Sequence, residues 1–93
     1  MPELLTGDKL IDFAKKISSK EEFDFFLQCL VKDYIENRNE WENADLLDYL
    51  VGLSRYVSDM EGYYKNTEEK VDVNVITWRI AAEMLIAASV YGN

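Results

Sequence analysis

Residues 75–91 read VITWRIAAEMLIAASVY. Ile76, Trp78, Ile80, Ala81, Ala82, Met84, Leu85, Ile86, Ala87, Ala88 and Val90 cover most of a helical circumference. Arg79 and Glu83, four residues apart, leave only a narrow polar stripe. A helix apolar almost all round belongs in the middle of its domain, and the four alanines in this one let neighbours approach closely. The pattern predicts a helix from Val75 to about Tyr91, capped by Asp72 or Asn74. Wrapped by the rest of the chain, it leaves no room for a cavity. The expected fold is all-α, a compact bundle of four or five helices with a central apolar C-terminal helix.

Working outward, three earlier segments carry helical spacing. Leu10, Phe13, Ala14 and Ile17 predict a first helix over about 7–17, with Asp8 in its first turn, where a negative charge suits the dipole. Ser18 with Glu21 and Ser19 with Glu22 form overlapping capping boxes for a second helix reaching about Glu36. Its apolar face is read as Phe23, Phe26, Leu27, Leu30, Val31, Tyr34 and Ile35, widened by Phe25 and Cys29. Asn43 is expected to cap a third helix, with Leu46, Leu50, Leu53, Val57 and Met60 as a coiled-coil-like seam. Gly52 lies off that seam, at a cost of about 1 kcal/mol relative to alanine. In DMEGYYKN, residues 59–66, Gly62 is expected to stop the helix, and Tyr63 and Tyr64 to pack back and fix the loop behind it.

Ninety-three residues make one domain, 1–93, and 48% apolar content is ordinary for a globular chain. The net charge is −8, and from Asp33 to Glu69 ten acids face only Arg38, Arg55 and Lys65. This argues against nucleic acid and against anionic membrane surfaces as partners. No run of about 18 apolar residues is present. The start, Met1-Pro2-Glu3-Leu4, lacks the form of a signal peptide. Cys29 is the lone cysteine, which suits a reducing compartment. A cytoplasmic protein is expected.

The sequence contains no histidine, the commonest neutral-pH base and zinc ligand. Glycines at 7, 52, 62 and 92 are too scattered for a phosphate loop, and no acidic run has calcium-loop spacing. Neither cofactor nor metal is expected, and Cys29 reads as buried filler. The aromatics are more informative. Tyr49, Tyr56 and Tyr63 recur every seven residues and flank the third helix's seam. Tyrosine suits both the edge of a helix interface and a recognition surface. Trp41, between Glu40 and Glu42, is placed to staple the chain to the third helix, and Trp78 to face that helix from the core.

SKEEF at 19–23, EWEN at 40–43, DMEGYYKN at 59–66 and the spaced set Trp78, Ala82, Leu85, Ala87, Ala88, Tyr91 resemble a family of small uncharacterised bacterial proteins. The resemblance covers about residues 19–91. It implies a bacterial source and a small helical domain, and it transfers no functional residues.

The residues themselves favour a non-enzymatic, acidic protein-binding module, in one version an immunity-type inhibitor of a basic partner protein. The candidate binding residues are Glu40, Trp41, Glu42, Tyr49, Tyr56, Tyr63, Tyr64, Glu68 and Glu69. The alternatives are a small carboxylate-dependent enzyme using Glu40, Glu42 or Glu61, and a structural homodimer joined through the tyrosines; monomer and homodimer both stay open.

Overall fold

Ser19, Asp45 and Thr77 each stand in extended backbone and accept, through a side-chain oxygen, the amide three residues ahead. The bonds, Glu22 N to Ser19 Oγ at 3.1 Å, Asp48 N to Asp45 Oδ1 at 2.9 Å and Ile80 N to Thr77 Oγ1 at 3.1 Å, satisfy amides that have no partner inside a helix. They start three helices of the computed structural model, α2 (Lys20–Glu36), α3 (Leu46–Asn66) and α4 (Trp78–Ala87). The first helix, α1 (Gly7–Ala14), has no side-chain cap on Thr6; the Gly7 amide donates instead to Asp33 Oδ1, 2.8 Å away on α2. A 3-10 turn, Arg38–Glu40, follows α2. The structure describes residues 3–92 and contains no strand among them. Met1, Pro2 and Asn93, and with them the reading of the Met1-Pro2 start, lie outside the described residues.

The all-α expectation holds, and α4 is the central element, packed against α1, α2 and α3. It is shorter than its apolar run. Thr77, not Asp72 or Asn74, caps it, and the chain leaves the helix after Ala87. Asp72 instead closes a turn in the preceding loop by accepting the Asn74 amide. Val75, Ile76 and Val90 are exposed. Helix α1 also stops early, at Ala14, where Lys16 N donates to Phe13 O and the chain turns. That turn buries Ile17 before the capping box of α2 begins.

Three expectations for the long helices fail. The stop at Gly62 does not exist: α3 runs through it to Asn66, and Tyr63 and Tyr64 are helical. The left-handed residue that ends the helix is Glu68, at φ 59. Glu69 N donates to Tyr64 O and Glu68 N to Lys65 O, the paired bonds of a Schellman ending with glutamate where glycine is usual. The cap at Asn43 is replaced by Asp45. The Leu46 seam faces outward: Leu46 is 72% exposed, Leu50 and Val57 are exposed too, and only Met60 of that row is buried.

Helix α3 buries Gly52, Tyr56, Met60 and Tyr64 instead, a row four residues apart. Gly52 decides this choice. A Cβ there would lie 2.5 Å from Asn43 Nδ2 and 2.6 Å from Ala88 O. The glycine lets α3 come within backbone distance of the turn after α4, and no leucine row permits that approach. Asn43 is buried in the same junction. Its Nδ2 donates to Ala88 O and Tyr91 O, at 2.8 and 2.9 Å, and its amide donates to Ser89 O. Asn43 therefore satisfies carbonyls at the end of α4.

Two clusters form the core. Leu10, Ala14, Ile17, Phe26, Cys29 and Ala82 join α1, α2 and α4; Tyr56, Met60, Tyr64 and Ile80 join α3 to α4. Trp78 belongs to neither interior. It is 42% exposed and lies against Phe23 of α2, not against α3 as expected. Of the three other helices α3 packs closely on α4 alone. Concavities open beside α3, among them one on its α2 side and one on its α1 side, so the expectation of a bundle without cavities also fails.

Candidate functional site

The connection from α2 to α3 is organised by one carboxylate. Asp33 is buried and accepts from the Trp41 indole at 2.8 Å, the Gly7 amide at 2.8 Å and the Asn37 side chain at 3.0 Å. Burial pushes its carboxyl up, but these three bonds together outweigh it and hold Asp33 below the ordinary aspartate range. With its nitrogen fixed, the Trp41 ring stacks on Tyr49, with centroids 5.8 Å apart, and meets Tyr34 edge-on at 5.0 Å. Both tyrosines are anchored: Tyr34 Oη donates to Ala44 O and Tyr49 Oη to Leu85 O. Arg38 covers the Tyr34 ring from outside. The staple expected of Trp41 is therefore a three-ring wall joining α2 to α3.

That wall lines a groove of about 400 Å³. Leu30, Val31 and Ile35 supply its α2 side, Leu46 and Tyr49 its α3 side. Val31, Ile35 and Leu46 are strongly exposed, and Leu47, Leu50 and Val51 extend the apolar surface along α3. Burying Leu27, Val31 and Ile35 in the core, as their spacing on α2 suggested, does not happen. The rim is anionic. From Asn39 to Ser54 the chain carries Glu40, Glu42, Asp45 and Asp48 and no base. A hydrogen bond with Asp45 and the repulsion of its charge push the Asp48 carboxyl up.

The remaining candidates are dispersed. Glu42 is exposed on the connection, outside both concavities. Glu40, Tyr56 and Tyr63 line the cleft on the α1 side. Tyr64, 1% exposed, is interior: its hydroxyl meets that of Tyr56 at 3.2 Å and donates to Glu83 Oε1 at 3.2 Å. Burial, then the Tyr56 bond and the Glu83 charge, push the Tyr64 hydroxyl far above its ordinary value. Glu83 Oε1 also accepts from Arg79 Nε at 2.8 Å, and Arg79 reaches Glu69 as well. That bond holds the Glu69 carboxyl down. Glu68 serves backbone geometry at the end of α3. The seven-residue tyrosine stripe is thus divided, with Tyr49 in the groove, Tyr56 buried, and Tyr63 on the cleft.

Sequence reasoning missed Tyr34, Asp33, Asn43 and Glu83. A signal existed for two of them. Asp33 continues the Phe26–Cys29 row at helical spacing, a core register for a charge, and Glu83 sits in an otherwise apolar helix. Among the described residues no group of three or more acids and cysteines could hold a metal ion. No helix there is long and apolar enough to cross a membrane.

Residues 19–92 match the model of a family of unknown function, DUF7660. The chain belongs to that family. No curated protein and no solved structure gives a significant match. The segment shared with DUF7660 holds α2, α3 and α4, and so both sides of the groove; α1, which walls the cleft, precedes it.

Proposed function

We propose that this DUF7660 chain is a non-enzymatic protein-binding module that captures a basic, amphipathic segment of another protein in the groove between α2 and α3. One observation carries the reading: exposed Val31, Ile35 and Leu46 surround an apolar groove whose charged lining residue is Asp45, in a stretch, Asn39 to Ser54, that carries four acids and no base. An apolar face with lysines or arginines at its edges complements both features. Burying one such aliphatic side chain contributes about 1.5–3 kcal/mol at most. The rim charges act chiefly on encounter rate and partner choice.

An immunity-type inhibitor of a basic toxin, working in a bacterial cytoplasm, is the specific form of this proposal. Catalysis by acids draws less support. Glu40 lines the cleft, Glu61 pairs with Lys65 on the exposed face of α3, and Glu42 lines neither concavity.

The test is affinity capture from the source organism at low and moderate salt, with wild type beside Ile35→Glu and Leu46→Glu. Both positions are exposed, so both variants should fold. The expected result is a stoichiometric basic protein held by wild type, released by salt and lost in both variants. Failure to recover one, or recovery that the substitutions leave unchanged, would overturn the reading.

A further inference from the structure

The cleft on the α1 side belongs to none of this. The backbones of α1 and α3 do not approach closely, and α4 floors the gap between them. Its volume, about 400 Å³, is in the range of small-ligand sites. Ile86, Ala87 and Val90 make an apolar floor, and Ile11 adds to it from α1.

Two features of the lining define what fits. The first is charge. Asp8, Asp33, Glu40 and Glu83 line the cleft with one base, Lys15, and Glu83 is already paired with Arg79. Asp33 is engaged on both oxygens, and Glu83 is 7% exposed with Oε1 holding Arg79 and Tyr64. The second feature is aromatic. Tyr63, Tyr56 and Tyr91 follow one another at centroid distances of 6.3 and 5.4 Å, with interplanar angles of 53° and 87°. Rings turned so steeply form a corner and not a stack. The Tyr91 ring is held there by its hydroxyl, which donates to Asp59 at 2.7 Å. Ring faces carry negative potential, so a tyrosine corner beside carboxylates attracts a weakly hydrated cation, while the aliphatic floor receives its carbon chain.

The geometry points to a binding site for an organic ammonium ion in the cleft between α1 and α3, held by the Tyr63 and Tyr91 rings that flank the buried Tyr56 and by the cleft's acidic lining. An anion meets net negative lining. A neutral apolar ligand forgoes the carboxylates and the ring faces. The ammonium group arrives either as a free small molecule or as a lysine side chain of another protein. The site is independent of the groove, since Trp41 is the one residue lining both concavities.

The test is an NMR titration of the full chain with choline, with its uncharged carbon analogue 3,3-dimethylbutan-1-ol, and with N-acetyl-lysine methylamide. Choline is expected to produce saturable shifts at Tyr63, Ile86 and Val90, and the uncharged analogue none that saturate. Tyr63→Leu, at an exposed position, should keep the unfolding temperature and weaken choline binding about 3- to 10-fold, as loss of one cation–π contact would. Tighter binding of choline assigns the site to a free ligand; tighter binding of the blocked lysine assigns it to a protein side chain. No saturable shift with either cation, equal response to the uncharged analogue, or binding indifferent to Tyr63→Leu would overturn the assignment.

Discussion

Two glycines of one helix show how much a single side chain depends on its surroundings. At Gly62 nothing lies within 4 Å of an added Cβ, and the residue sits inside α3. Alanine there should raise stability by about 1 kcal/mol, the difference in helix propensity. At Gly52 the same added carbon meets Asn43 and the Ala88 carbonyl. Gly52→Ala should lower stability by about 1–3 kcal/mol through overpacking at a backbone contact that cannot give way cheaply. Urea unfolding of the two variants beside wild type measures both; equal effects of the same sign would contradict the placement of α3. Sequence alone treated Gly52 as a tolerated flaw and Gly62 as a helix stop, because propensity describes the residue and not the neighbour 2.5 Å away.

At the scale of elements, a helix boundary was legible where its signal is local. Ser19 with Glu22 was read correctly, since a capping box is local chemistry written in four consecutive residues. The end of α3 was not, because a helix stop needs a left-handed residue and any residue can be forced there when the tertiary contacts demand it. Glu68 is such a residue. Holding an L-residue in that conformation costs about 1 kcal/mol that glycine avoids. Glu68→Gly should therefore stabilise the chain by about 0.5–1 kcal/mol in thermal or urea unfolding. A marked loss would mean that the Schellman ending of α3 is misassigned. The choice of face on α3 was equally hidden. Leucines and valines occur on several sides of this helix, and a tyrosine row with its hydroxyls satisfied buries as well as a leucine row.

Over the whole molecule, three carboxylates are held by hydrogen bonds or an ion pair made only in the folded chain. Asp33 ties α1 and the Trp41 connection to α2, Glu22 closes the turn between α1 and α2, and Glu69 ties the long loop to α4 through Arg79. Desolvation raises Asp33, and bonds from Trp41, Gly7 and Asn37 overcome that; bonds from Ser18 lower Glu22; the Arg79 bond lowers Glu69. Each is more acidic folded than unfolded, so the unfolded chain binds protons first. Their contribution is complete above the ordinary values of 4.5 and 3.8 and is lost as pH falls through the lower folded values. Unfolding midpoints should therefore decline below about pH 4.5, and the gap between wild type and Asp33→Asn should narrow toward pH 3. A gap constant with pH would contradict the role given to Asp33. The sequence by itself determined the all-α class, the central place of the C-terminal segment and the acidic middle of the chain, because periodicity, composition and charge are local quantities. The tertiary structure alone decided which face of α3 is buried, where the groove and the cleft open, and which acids are engaged. Those outcomes depend on how closely two backbones approach, and that distance was set by Gly52 meeting Asn43 and Ala88 across the fold.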